Sequence, residues 1–129
     1  MLYNGNNGQF YDTDNLAGIL TDDTGTGFGF AVINYNSILQ NGPDAIALVD
    51  NMGSVISFIS YEGSFTATDG PANGLTSDNI SESQTGNATL DPAAGSLQLT
   101  GTGSNFNDFT WSRTQVNTSG SVNTGQTIN

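Results

Sequence analysis

A chain of 129 residues with twelve carboxylates, one Arg and no Lys, His or Cys carries a formal charge of -11 and a pI near 4.1. This composition removes thiolate chemistry, disulfides, imidazole and lysine bases, and the zinc sites built on His and Cys. It disfavours direct binding of nucleic acid or anionic lipid, since both are held mainly by Lys and Arg.

Leu2 and Tyr3, the polar Asn4-Gly-Asn-Asn-Gly8 and then Gln9-Phe-Tyr-Asp12 read as two strand ends around a Gly-rich turn. Leu16 to Leu20 is a short apolar patch. Thr21 to Gly27 is turn-rich, and Phe28-Gly-Phe-Ala-Val-Ile33 is predicted as a strand. Asn34 to Gly42 is irregular, and Pro43 marks entry to the next element because its ring pre-sets an extended or turn backbone.

Ala45–Val49 and Val55–Tyr61 flank Asp50-Asn-Met-Gly53, which supplies turn residues and a glycine able to take positive φ. This predicts a hairpin, with Ile46 and Leu48 on one face, at the centre of a sheet. From Glu62 to Gly95 the apolar residues Phe65, Leu75, Ile80 and Leu90 stand isolated, so the stretch reads as a long excursion pinned by them. Ser96–Thr100, with Leu97 and Leu99 on one face, and Phe106–Trp111 predict a second hairpin. The tail from Thr114 to Asn129 reads as irregular.

Gly, Asn, Thr and Ser fill nearly half the chain, favouring turns and short strands over helices. The length suits one domain over residues 1–129, and the supply of short strands predicts an all-β fold, an antiparallel immunoglobulin-like β-sandwich. No apolar run approaches the roughly 20 residues that span a bilayer, so membrane insertion is not expected.

With no His or Lys to activate Ser or Thr, only a carboxylate pair could serve acid–base chemistry. Asp44, Glu62, Asp69 and Glu82 are nominal candidates, but nothing in their spacing selects a pair, and turn or surface roles account for them. Asp12, Asp14, Asp22 and Asp23 are fragments of a hard-oxygen set that would suit calcium, yet Leu16 stands where an EF-hand needs a third ligand. Their alternative role is to accept backbone N–H groups in turns. No other cofactor is implied.

Trp111 and Tyr61, with Tyr3, Tyr11 and Tyr35, offer flat faces on which a sugar ring could stack, although Trp111 beside Phe109 also reads as core. Arg113, the lone cation, is expected to pair with a carboxylate or stack on an aromatic. Trp111, Tyr61 and Arg113 are therefore the candidate ligand-binding residues. Asn79, Asn87 and Asn117 head glycosylation-type tripeptides that an Asn- and Thr-rich chain also produces by chance.

Several segments resemble the lamin tail domain family: Leu2–Gly8 with Tyr11-Asp-Thr13, Gln40–Val49, Phe58–Gly63, Ser96–Gly101, Phe109–Trp111 and Gly120–Gly125. The likeness is to the bacterial branch of a family of immunoglobulin-like sandwiches that occurs in animal lamins and in many bacterial secreted or surface proteins. It implies a noncatalytic extracellular or cell-surface accessory module, part of a larger secreted protein such as a nuclease. Its role would be protein interaction, adhesion or targeting, with a protein or polysaccharide at the cell surface as partner. A carbohydrate-binding module is the alternative.

The family pattern begins with a leader and with strands bearing Asn-Glu-Ile and Glu-Phe-Ile-Glu-like segments, which do not occur here. The resemblance therefore implies a domain missing its first strands. Neighbouring strands would expose unpaired backbone groups, and a homodimer through that edge is expected. A stable monomer at all concentrations would contradict it.

Overall fold

The computed structural model describes residues 1–35 and 38–129; Asn36 and Ser37, within the stretch read as irregular, lie outside the described residues. Among the described residues the regular elements are all strands apart from a single 3-10 turn at Phe106–Asp108. The strands are β1 (Leu2–Asn4), β2 (Phe10–Asp12), β3 (Asp44–Val49), β4 (Val55–Tyr61), β5 (Asp78–Asn79), β6 (Ser96–Gly103), β7 (Thr110–Thr114) and β8 (Gln126–Ile128). They form two sheets, ordered β2-β1-β3-β4-β5 and β7-β6-β8. Both sheets are mixed, because β5 runs parallel to β4 and β8 parallel to β6; the expected purely antiparallel pairing is corrected at these two edges. Two compact units result, Met1–Asn15 with Asn34–Ser81 and Leu16–Ile33 with Glu82–Asn129.

The first unit is built on the β3–β4 hairpin, which closes through Asp50–Gly53 as the sequence predicts. Asp50 Oδ1 accepts the N–H groups of Met52 at 2.9 Å and Ser54 at 2.8 Å, and Gly53 takes a φ of 87°. A carboxylate that gathers two turn amides replaces their lost water and fixes the reversal. β3 and β4 are interior strands, with β1 paired to β3 in the register Leu2↔Ile46, Tyr3↔Ala45.

The core lies on the face that carries small residues. Ala45 and Ala47 are buried, whereas Ile46 and Leu48 remain 40% and 43% exposed. The alanines leave room for the rings of Tyr3 and Phe58, which meet edge to face with centroids 5.2 Å apart; Phe65 adds a second edge contact to Phe58 at 5.9 Å. Such tilted pairs bring the positive ring edge to the negative ring face.

The excursion after β4 covers this core. Phe65 packs against it and Ile80 is buried, as expected of pinning residues, but Leu75 and Leu90 are 44% and 47% exposed. Ala67 and Ala72 take the inner positions instead. The close approach is held by polar bonds: Ala72 N–H donates to Tyr3 Oη at 3.1 Å, Tyr3 Oη–H to the Asp69 carbonyl at 3.3 Å, and Ser77 Oγ to Ser60 Oγ at 2.8 Å. Large side chains at 67 or 72 would hold the backbone too far away for these bonds.

In the second unit β6 is central and pairs antiparallel with β7 in the register Leu97↔Arg113, Gln98↔Ser112, Leu99↔Trp111. Three expectations are corrected here. Phe28–Ile33 forms no strand, since no ladder partner meets it among the described residues. Phe106–Asp108 is a 3-10 turn, because Asp108 Oδ2 accepts the N–H groups of Ser104 and Asn105, each at 2.9 Å, and curls the chain back. The tail is not wholly irregular, since Gln126–Ile128 adds to Gly101–Gly103 as β8.

Candidate functional site

Two constellations stand out, one in each unit. In the first unit Asp44 opens β3 and is 2% exposed. Its Oδ1 accepts Gly5 N–H at 3.2 Å, and its Oδ2 accepts Tyr11 Oη–H at 2.8 Å and Gln40 N–H at 3.3 Å. Tyr61 Oη donates to the Gln40 carbonyl, and Glu62 Oε2 accepts Gly42 N–H at 3.0 Å. Gly5 also donates to the Pro43 carbonyl at 2.9 Å, and a Cβ at this glycine would collide with that oxygen.

The tyrosines here are hard to ionise. Burial, then the hydrogen bond to Asp44 and its charge, push the Tyr11 hydroxyl well above its ordinary value of 10. Burial, then the charges of Asp44 and Glu62, raise Tyr61 to about 12, and burial together with Asp14 raises Tyr35 to about 12. A raised folded-state pKa means that the folded protein holds its protons longer than the unfolded chain. The resulting stability is complete below pH 10 and is lost as the pH rises through about 12. Ultraviolet phenolate absorbance should therefore rise late and coincide with loss of near-ultraviolet dichroism; a Tyr61→Phe variant should show a smaller late rise.

The cluster is a polar latch. Three donors from separate parts of the chain hold the two oxygens of Asp44. The other nominal carboxylates are occupied in the same way: Asp69 Oδ1 accepts Phe10 N–H at 2.8 Å, and Glu82 Oε2 lies 3.4 Å from Arg113 Nε.

The second constellation is a groove of about 550 Å³ in the second unit. Phe30–Ile33 forms one wall, Ser96–Leu99 of β6 the other, and residues from Asn117 to Asn123, with Gln126 and Ile128, complete it. None of the lining residues carries a charge, in a chain with twelve carboxylates. Val32 and Ile33 remain 48% and 40% exposed, so the groove presents apolar surface beside amides and hydroxyls.

At its inner wall Gln98 is only 5% exposed. Its Nε2 donates to Ser96 Oγ at 2.7 Å and to the Val116 carbonyl at 3.1 Å, while Oε1 is buried without a partner. The Val116 carbonyl fixes the amide orientation, because a flipped amide would set two acceptors face to face. A buried acceptor without a donor costs about 1–3 kcal/mol. Sequence reading placed Leu97 and Leu99 on one face of a strand and gave Gln98 no role. An amide between two leucines reads as solvent-facing, and no local signal distinguishes it.

The residues singled out from the sequence are not gathered into one site. Trp111 and Arg113 lie on one face of β7, two residues apart, while Tyr61 belongs to the first unit. Trp111 is half-buried, and neither it nor Tyr61 lines the groove. Arg113 pairs with Glu82, donates to the Ser83 carbonyl at 3.3 Å and keeps 33% of its side chain exposed.

Asp12 and Asp14 lie in the first unit, Asp22 and Asp23 in the second, and among the described residues no three acidic groups converge as for a metal ion. Asp23 accepts Thr21 Oγ1 at 2.9 Å and Phe30 N–H at 3.3 Å. Desolvation pushes Asp22 up, but the N–H groups of Gly27, Gly25 and Thr24 outweigh it and hold the carboxyl below its ordinary value. Both act as turn acceptors. Asn79 and Asn87 likewise accept the N–H groups of Gly63 and Thr89, each at 2.9 Å.

No protein-family model, curated protein or solved structure matches this chain.

Proposed function

We propose that this protein is a noncatalytic extracellular or cell-surface accessory module for protein interaction, adhesion or targeting, carried by a larger secreted protein. We assign it the immunoglobulin-like β-sandwich of the lamin tail type. The observation that carries the reading is the uncharged groove of the second unit, whose lining sets apolar side chains beside amides and hydroxyls. Surfaces that recognise proteins pair desolvated apolar area with a few placed hydrogen-bond groups and carry little charge at their centre. The residue inventory agrees, since it contains neither His, Lys nor Cys.

The amides of Gln98, Asn117, Asn123 and Gln126 would also suit a sugar, which makes a carbohydrate-binding module the second reading. The two separate in one titration of isotope-labelled protein, against a glycan panel and against neutral peptides. Peptides should shift the backbone resonances of Gln98 and Asn123 saturably, glycans should not, and Trp111→Ala and Tyr61→Ala should leave peptide binding unchanged. Saturable glycan binding that disappears on either substitution would establish the sugar reading instead.

A further inference from the structure

The groove runs along a strand edge. Ser96, Leu97, Gln98 and Leu99 all line it, although successive residues of a strand point to opposite faces; only an edge presents four in a row. On one side β7 pairs with Ser96–Thr100, and on the other β8 reaches only Gly101–Gly103. The direction of the backbone groups follows from the bonds made on the β8 side: Gly101 N–H donates to the Gly125 carbonyl at 2.9 Å, and the Leu99 carbonyl accepts Asn123 Nδ2 at 3.0 Å. Odd-numbered residues of β6 therefore point away from β7. Among the described residues the N–H and C=O of Leu97 and the N–H of Leu99 have no partner. Phe30–Ile33 faces this half-edge as β-prone sequence, yet makes no ladder with it.

We infer that the half-edge Ser96–Leu99 takes up an extended, uncharged segment of a partner polypeptide, which adds to the sheet as a strand between β6 and Phe30–Ile33. Alternating donor and acceptor groups at strand spacing are matched by another extended backbone. Charge selects the occupant: the lining offers no counterion, so a charged segment would lose its hydration uncompensated. A second copy of the chain would bring a second charge of -11 against the first.

The inference rests on the protein-interaction reading, and amide hydrogen exchange separates the two. In the free protein, Leu97 and Leu99 should exchange on the order of 100-fold faster than Gln98 and Thr100, whose N–H groups face β7. The probe is a set of acetylated, amidated octapeptides that alternate Val, Ile or Phe with Thr or Ser. Saturation with a binding peptide should slow Leu97 and Leu99 by a similar factor, and N-methylation of the peptide's inward amides should abolish binding. Leu97→Pro removes one outward donor while sparing the pairing with β7, and should weaken binding about tenfold or more. Should that variant fail to fold, the methylated peptides decide alone.

Protection of Leu97 and Leu99 in the free monomer would show the edge filled from within the chain and overturn the inference. Protection that appears only with concentration and a doubled mass would assign the edge to a second copy, with the same result. Peptide binding that leaves both amides fast would overturn strand addition and leave the interaction reading standing; absence of peptide binding would sink both.

Discussion

Phe58→Ala is expected to lower the unfolding free energy by about 3–5 kcal/mol, the usual cost of deleting a buried aromatic ring and leaving a cavity. Phe58 is 6% exposed and joins Tyr3 to Phe65 through two edge contacts, so its loss also removes the aromatic bridge between β1 and the covering excursion. The informative comparison is Ile46→Ala, one strand away. Ile46 is 40% exposed, and its truncation should cost on the order of 1 kcal/mol. Urea unfolding of the two variants checks the difference. Equal costs, or a larger one at Ile46, would place the core on the opposite face of the sheet.

Asp44→Ala is the second large effect, with an expected loss of about 3 kcal/mol. The carboxylate gathers Gly5 N–H, Tyr11 Oη–H and Gln40 N–H, so removal takes the acceptor from Tyr11 and Gln40 and leaves Gly5 only its bond to the Pro43 carbonyl. Asp44→Asn should recover little, because its new NH₂ group would face a donor. Tyr11→Phe should cost less, about 1 kcal/mol, since it removes one donor and leaves the other two bonds to Asp44. Thermal unfolding of the three variants tests this order; a neutral Asp44→Ala would mean that the loop does not depend on the latch.

The latch was legible only as separate residues. Pro43-Asp44 announced a boundary, and Tyr11 and Tyr61 were noted as aromatic platforms, but nothing local says that residues 33 positions apart share a hydrogen bond. The same limit explains the core. Period-two patterning correctly put Ile46 and Leu48 on one face, yet burial depends on what arrives from elsewhere, and the excursion brings Ala67 and Ala72 to the alanine side. Its small residues read as featureless turn sequence until they meet Tyr3 and Phe58.

The groove shows where local propensity gave way. Phe28–Ile33 has strand composition, and a strand needs a partner in register; here Phe30–Ile33 lines the groove with β6 instead. The tail failed in the opposite direction. Gln126–Ile128 has little β-signal of its own, and it forms β8 because Gly101–Gly103 offers a ladder for three residues.

What the sequence determined by itself is whatever depends on residue inventory and near neighbours: an all-β chain without thiol, imidazole or lysine chemistry, and the hairpin around Asp50–Gly53, whose turn carboxylate and positive-φ glycine act within five residues. Tertiary structure alone decided which face of that hairpin is core, which carboxylate is buried, and that Gln98 lies at an uncharged groove with an unmet acceptor. The division is physical. Turn geometry and side-chain chemistry are short-range, whereas burial and backbone pairing belong to segments brought together across dozens of residues, and one strand edge can stay open only because of where all the others have gone.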